Sequence, residues 1–556
     1  MLEARWCSSL AKIFIGKELV AEPYKRCTAL RGEAVSFQLA YRFPFDEPYI
    51  SRLRLLEVES PFGDALSVRC VKSVPVDYPS TAFDDDYLDT KPGLYPDVLE
   101  PLNADGDIPD CRGTWNALWF KVSVPSDFAP GKYKVKATLN ARYQQSAIPE
   151  LTKTFAFEVE VLPAVLPPQT LRYCNWFHCD CLADYYGVPV FSEEHWRIIG
   201  NFMRAASSHG MNLILTPLFT PPLDTDIGAE RPTVQLVDVT VRRGKYAFGF
   251  GRLERWLTLA GKCGMRYFEM SHLFTQWGAK AAPKIVATVD GKEKRIFGWD
   301  TASDSPEYTA FLEAFLPKLA DFLRRKRVAT RCYFHCSDEP HPNHLRYYEH
   351  AVGILHRLLP GFKFMDALTH LEYYQKGLVT TPVPLVANLE EFAAAGVKEL
   401  WTYTCCAPTQ TYTNRFIAMP SARNRILGMQ LYYFGVKGFL HWGFNFYYRR
   451  NSRGLLNPYL SQSGEGAWPA GDPFVVYPGP DGQPLDSLRL EVFYEGFQDQ
   501  RVLQLLEGKI GRAKLMALLD KSAPGGKFGM AVYPKGEKAL LALREEINTL
   551  VRKAFK

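Results

Sequence analysis

Nowhere does this sequence hold a run of eighteen apolar residues, so no stretch of it is built to cross a bilayer as a helix, and no membrane partner is expected. Residues 1–20 lack a basic stretch followed by an apolar core and a small-residue cleavage site, and on that reading the chain stays in the cytoplasm. No block of Lys and Arg stands out from a formal charge of +6 over 556 residues. Arg324-Arg325-Lys326-Arg327 reads as the solvated last turn of a helix, and nucleic acid is not an expected partner. The regular cysteine framework of a small secreted scaffold is missing too. The twelve Cys, with Cys174, Cys179 and Cys181 close together and Cys405 beside Cys406, read as reduced thiols. His178 among the first three invites zinc, yet the spacing matches no common four-ligand pattern and no second CxxC pair answers it, so no metal and no cofactor are expected. Histidine is absent from the first 177 residues; all eleven lie between His178 and His441, which confines the polar chemistry to the middle of the chain.

What is present is a soluble globular composition, 47% hydrophobic and 23% charged, at a length that calls for two or three folding units. From about residue 10 to 164, short runs alternate apolar and polar residues: 33–41, 53–58, 117–124, 132–139 and 155–161. That period of two means one face buried and one wet, as in a sandwich of antiparallel sheets. Leu162-Pro163 and Leu166-Pro167-Pro168 end the pattern, giving a first domain over 1–166.

Beyond Pro168 the rhythm changes to apolar strands separated by amphipathic helical stretches. Eight strands are expected: 171–176, 212–218, 266–270, 332–337, 362–368, 384–388, 399–405 and 438–444, with helices at 193–208, 253–263, 306–325 and 342–359. Eight such units are what a (β/α)₈ TIM barrel requires, and the glycine-rich phosphate loop of an open doubly wound sheet is lacking. The expected organisation is an N-terminal sandwich, a barrel over 167–508 ending in a helix at 487–507, and a C-terminal helical extension over 509–556 packed on the barrel. Long connections after strands, 217–250 with a hairpin about Arg243-Gly244, 271–305 and 443–486, are expected to build a pocket.

The fourth strand runs straight into Ser337-Asp338-Glu339-Pro340. Two adjacent carboxylates at a barrel strand's C-terminal end sit where such folds present catalytic groups, and other strand ends bring His178, His272, Asp366, Tyr403 and His441 to the same face. Trp176, Phe177, Trp277, Trp299, Trp401, Trp442, Trp468 and Tyr477 crowd those ends; aromatic faces beside polar groups suit a sugar ring. Carboxylates facing a sugar suggest glycosidic hydrolysis, but the seventh strand, Trp401-Thr402-Tyr403-Thr404-Cys405-Cys406, carries no acid to serve as the second carboxylate. Two acids adjacent in sequence fit better on one side of a substrate that supplies its own nucleophile, the carbonyl oxygen of a 2-acetamido group. Two alternatives stay open: a conventional retaining enzyme using Asp366 as nucleophile, and a non-catalytic carbohydrate-binding protein.

Ser271-His272-Leu273-Phe274-Thr275-Gln276-Trp277-Gly278, Phe297-Gly298-Trp299-Asp300-Thr301, Ser337-Asp338-Glu339-Pro340, and Ser487-Leu488-Arg489 with Glu495-Gly496-Phe497-Gln498-Asp499 resemble glycoside hydrolase family 123, the β-N-acetylgalactosaminidases. The resemblance runs along essentially the whole chain. It implies an exo-acting, substrate-assisted retaining mechanism on a β-linked N-acetylhexosaminide, in which Asp338 orients the acetamido nitrogen and Glu339 is general acid and then base. Alongside it, Tyr403 is assigned to the acetamido carbonyl, and His272, Trp277, His441 and Trp468, placed by strand topology more than by motif, with Trp299, Trp442, Asn175 and Trp176, to sugar hydroxyls and ring faces.

Overall fold

The computed structural model describes residues 2–110, 112–225 and 229–555. Its N-terminal part is two facing sheets. One has five strands in the order Glu3–Ser8, Ala34–Arg42, Asn116–Ser123, Leu66–Val76 and Gly93–Pro101; the other has four, Arg26–Arg31, Leu151–Val165, Gly131–Tyr143 and Ile50–Glu59. Alternation does the work expected of it: Val135 and Ala137 are fully buried, while Lys132 and Lys134 ahead of them face water. Between the sheets Phe37 stacks on Phe157 with ring centroids 3.8 Å apart, and Trp6 meets Phe120 edge-on at 5.2 Å. Burying side chains of this size contributes about 1.5–3 kcal/mol each. The expectation of purely antiparallel sheets needs one correction, because Arg26–Arg31 runs parallel to Leu151–Val165. Parallel neighbours cannot be joined by a tight turn, and these two are separated by most of the sandwich.

The second part supplies eight short parallel strands, designated β1 (Arg172–Asn175), β2 (Leu213–Thr216), β3 (Tyr267–Met270), β4 (Cys332–His335), β5 (Lys363–Ala367), β6 (Thr381–Val383), β7 (Trp401–Thr404) and β8 (Gly438–His441). They form two ladders rather than one continuous sheet, β2-β3-β4-β5-β6 and β1-β8-β7. A parallel bridge between Leu385 and Tyr403 links β7 to the segment after β6, and Asn212 N donates to Tyr173 O at 3.1 Å beside β1. The sixth strand lies at 381–383, not at the expected 384–388, because Asn388 already stands at the start of the helix Leu389–Ala394.

Helices alternate with these strands and their starts are chemically marked. Ser192 accepts from His195 N ahead of Glu193–Ser208, and Ser305 accepts from Tyr308 N ahead of Pro306–Arg325, which carries Pro at its first position. Both helices fall where their sequence placed them. The hairpin expected about Arg243-Gly244 is present (Asp238–Arg242, Lys245–Gly249), and a second one, Ile285–Val289 with Lys292–Phe297, extends it to four strands where only a long connection was expected.

The helix Leu488–Ile510 buries charge as well as an apolar face that includes Leu488, Phe493, Phe497, Leu503 and Leu506. Arg489 pairs with Asp97 of the sandwich (2.8 Å), Glu491 with Lys121 (2.8 Å) and Arg69, and Arg425 with both Glu495 and Asp499 (2.7 Å each). From the C-terminal helix Glu537–Ala554, Arg544 reaches Glu33 of the sandwich (2.7 Å) and Asp499. The C-terminal helices therefore pack on the sandwich as well as on the strand-and-helix unit, sharing a core with Leu30, Trp119 and Leu162. Gly428 permits the closest approach to this helix: a Cβ there would collide with Gly496 O.

Candidate active site

β4 is buried along its whole length, and a chain leaving it as extended strand would point Asp338 and Glu339 to opposite faces. Glu339 breaks that alternation with φ 43°, a left-handed conformation that costs a non-glycine residue of order 1 kcal/mol, and its N–H is anchored to Ala367 O at 3.0 Å at the end of β5. Pro340 then bars a return to the ladder. Two consecutive carboxyls thus serve one place. The loop after β3 is tied to this turn: Trp277 N donates to Asp338 O (2.8 Å), Ser337 Oγ donates to Thr275 O (2.8 Å), and Ala279 N donates back to Ser337 Oγ (3.2 Å). Trp277 itself takes φ 58° and stands 47% exposed, a ring held out beside the acids. Gly278 follows because any Cβ would collide with the His344 ring.

Tyr403, at the inner end of β7 and almost wholly buried, donates its hydroxyl to Glu339 Oε1 at 2.5 Å. Burial and then the charge of Glu339 hold that phenol well above the usual tyrosine range, so it stays a donor. Burial, then the charges of Glu339 and Asp366, likewise hold the Asp338 carboxyl well above the usual carboxylate range, with His335 pulling the other way.

Beneath the acids lies a buried charge cluster. His335, at zero exposure, sets Nε2 2.9 Å from Glu269 Oε1 and Nδ1 3.0 Å from Asp366 Oδ1. Burial alone would strip its proton, but the two carboxylates outweigh that and hold its pKa well above that of free imidazole. Asp366 is sealed, accepting also from Ser337 N (3.1 Å) and Tyr348 Oη (2.7 Å). His272 lies against His335 with ring centroids 4.3 Å apart, neutral because burial and the neighbouring positive charge both disfavour a second one, and with both nitrogens unpartnered. His272, His335 and Asp366 stand close enough to grip a cation, but both nitrogens of His335 are already committed to carboxylates.

A second buried group adjoins β8. His441 accepts from Gly443 N on Nδ1 (3.1 Å) and turns Nε2 to Asp472 Oδ1 (3.2 Å), while Trp442 Nε1 donates to Asp472 Oδ2 (2.9 Å). Burial pushes Asp472 up to about 7, against the pull of Arg415. Trp442 and Trp468 face each other at 5.1 Å.

Over residues 176–506 the chain matches the model of the glycoside hydrolase 123 catalytic domain. The chain belongs to glycoside hydrolase family 123. Among solved structures, this family 123 chain is similar to a family 123 glycoside hydrolase from Clostridium perfringens, at 15% identity and a TM-score of 0.75 over 100% of this chain and 99% of that one. At that identity the likeness speaks to the fold, and it includes the N-terminal sheets. A Bacteroides fragilis protein provisionally named a beta-galactosidase (9% identity, TM-score 0.33, 88% of this chain and 60% of that one) overlaps more slightly. So does a calcium-binding mutant of Bacteroides uniformis beta-glucuronidase 2 (11%, 0.28, 79% and 48%). No curated protein matches the sequence.

Of the residues assigned from the sequence of this family 123 chain, Tyr403 and Trp277 touch the acid pair directly, and His272 joins through the cluster below. His441, Trp442 and Trp468 gather around Asp472. Trp176 is buried with its Nε1 on Glu269 Oε1 (2.7 Å), and the Asn175 amide is used by Arg415 (2.9 Å) and Tyr173, so neither offers a free polar group. Trp299 sits in the turn after Lys292–Phe297, and no hydrogen bond or ring contact joins it to the acids among the described residues. His178 is packed away, accepting from Arg231 on Nδ1 (2.9 Å) with Nε2 on Trp442 O (2.9 Å), and Tyr477 serves the sandwich contact by donating to Asp97 (2.7 Å). Glu269, His335, Arg415 and Asp472 went unread. A signal existed for the first two, since a single charge inside an apolar strand buried on both faces must find a partner.

Proposed function

We propose that the chain is an exo-acting, retaining β-N-acetylgalactosaminidase in which the substrate's 2-acetamido carbonyl oxygen is the nucleophile. The observation that carries this reading is the state of Asp366, the protein's best alternative nucleophile: it is at zero exposure with His335, Tyr348 and Ser337 N on its oxygens. A carboxylate so enclosed has no oxygen free for an anomeric carbon. Asp338 accepts the acetamido N–H, which fixes the carbonyl oxygen against C1; that oxygen forms the new C1–O bond as the aglycone oxygen leaves with the proton of Glu339. Water then attacks C1 from the vacated face, giving its proton to Glu339, and the oxazoline-type ring reopens with net retention. Tyr403 steadies the carbonyl oxygen, and Trp277 offers its exposed face to the sugar or aglycone.

The eight parallel strands close, on this proposal, into a (β/α)₈ barrel over 167–508, between a sandwich at 1–166 and a helical extension at 509–556. The Leu385–Tyr403 bridge and the Asn212–Tyr173 hydrogen bond support closure at its two seams. The unpaired state of the eleven described cysteines supports a cytoplasmic setting. No helix among the described residues is long and apolar enough to cross a membrane. The Clostridium perfringens relative was studied for glycolipid glycan hydrolysis, which makes a glycan of that kind a reasonable substrate to offer.

The test is nitrophenol release from the β-N-acetylgalactosaminide, the β-N-acetylglucosaminide and the plain β-galactoside. Turnover confined to acetamido sugars, and reduced by about 10²- to 10⁴-fold in Glu339→Gln, supports the reading. Comparable turnover of the plain galactoside would defeat it.

A further inference from the structure

We propose that His335, fixed as an imidazolium between Glu269 and Asp366, is a positioning residue whose buried positive charge lets Asp338 ionise when an acetamido N–H arrives, so that the single proton of the acid pair ends on Glu339. The inference rests on the substrate-assisted reading and adds the step that reading leaves out, namely how the general acid is charged.

Burial and the neighbouring carboxylates hold the Asp338 carboxyl above the usual range and favour a proton there, while Glu339 Oε1 accepts from Tyr403. Catalysis needs the reverse: a carboxylate at Asp338 to accept the amide hydrogen, and a carboxylic acid at Glu339. The exchange is balanced in itself, since the proton lost by one carboxyl is gained by its neighbour and no outside acid is consumed. What decides whether it occurs is the charge beneath Asp338. Glu269, His335 and Asp366 together carry a net charge of one negative unit. With His335 neutral the same cluster would carry two, and Asp338 would keep its proton against the arriving N–H.

The geometry fixes this charge in place. His335 Nδ1 hydrogen-bonds Asp366 at 3.0 Å and Nε2 lies 2.9 Å from Glu269 Oε1, Trp176 Nε1 holds Glu269, Tyr348 and Ser337 N hold Asp366, and Ser337 is the residue before Asp338. Of the other groups facing the pair, one changes charge within the pH range of the test. His272, after β3, is neutral; Tyr403 on β7 and Cys405 just after it keep their protons, as does Tyr348 from its helix; His441 at the end of β8 is neutral; Asp472, pushed up to about 7 by burial against the pull of Arg415, titrates in that range in every variant alike and so leaves the displacement between them to the cluster.

The experiment is the pH dependence of kcat/KM on an aryl β-N-acetylgalactosaminide for wild type, His335→Gln and Asp366→Asn. Removing the positive charge should lower the maximum and move the bell to higher pH by roughly one unit, and removing one negative charge should move it to lower pH by a similar amount. Opposite displacements are the signature of charge; a merely structural role would lower both maxima without moving the limbs, and that outcome overturns the proposal. Should His335→Gln fail to fold, the wild-type protein decides alone. The ring nitrogens of His335, observed by NMR in histidine-labelled enzyme, should report the imidazolium from pH 5 to 8, and a neutral ring at pH 7 overturns it. The galactoside comparison on wild type separates the two failures. If plain galactoside is turned over as well, the substrate-assisted reading has fallen; if acetamido selectivity holds and the bells do not part, only the role of His335 has.

Discussion

Asp97→Ala should be among the most destabilising single changes in the molecule. Asp97 and Arg489 are both buried, one on a sandwich strand and the other on the helix Leu488–Ile510, and the carboxylate takes Nε at 3.0 Å, Nη2 at 2.8 Å and the Tyr477 hydroxyl at 2.7 Å. Removing it strands a guanidinium out of water, which costs about 3–5 kcal/mol, and orphans a buried hydroxyl for about 1–3 kcal/mol more. The sum is roughly 4–8 kcal/mol. In Asp97→Leu/Arg489→Met no charge is left behind; the carbonyls of Gly471 and Phe474 lose the donor they now have in Arg489 Nη1 and the Tyr477 hydroxyl still loses its acceptor, so the double change is not free, but it should cost about 3–5 kcal/mol. The assay is thermal unfolding followed by calorimetry, where units of this size give roughly 1–2 °C per kcal/mol. The single variant should melt roughly 5–10 °C below wild type and the double variant distinctly higher than the single. A double variant as unstable as the single, or more so, would refute the idea that the uncompensated charge is what costs.

Tyr403→Phe removes the hydroxyl assigned to the acetamido carbonyl oxygen and should lower kcat/KM about 10- to 150-fold on acetamido substrates, the worth of one hydrogen bond to an acceptor that gains charge in the reaction, with the melting temperature little changed. Trp277→Ala should raise KM about tenfold and leave kcat within a few-fold, because the ring is exposed and its backbone, not its indole, holds Asp338. Asp472 binds its proton more tightly folded, at about 7, than unfolded, near 3.8, so its contribution makes stability fall as pH rises between those values; Asp472→Asn should flatten that decline in melts run from pH 4 to 8.

Much of this was open to reading from the residues. Ser192 and Ser305 announce their helices by local chemistry, and the apolar runs of β1 to β8 are short and bounded, so these elements depend on little beyond their own neighbours. The pair Asp338-Glu339 was legible for the same reason. The hairpin 285–297 was not, since Lys292-Glu293-Lys294-Arg295 offers no buried face to mark a strand. Asp366 illustrates the harder limit. Its position at a strand end suggested a nucleophile, and only its spatial neighbours from β4 and the helix Leu345–Leu358 reveal it as the partner of His335. The charged residues of Leu488–Ile510 were noticed as a motif, yet their partners Asp97, Lys121 and Arg544 lie on other elements, and no periodicity within the helix points to them.

The contact between Glu33 and Arg544 joins residues 511 positions apart in the chain. A ribosome adding about 5–20 residues per second finishes the sandwich strands well before Arg544 is made, leaving roughly half a minute to two minutes between Glu33 and its counter-ion. For that interval the nascent N-terminal sheets carry a carboxylate meant for burial, an unoccupied seat at Asp97, and an uncovered apolar face at Leu30, Trp119 and Leu162. The sandwich therefore emerges ahead of the helices that complete it, and its closure waits on the helix Glu537–Ala554.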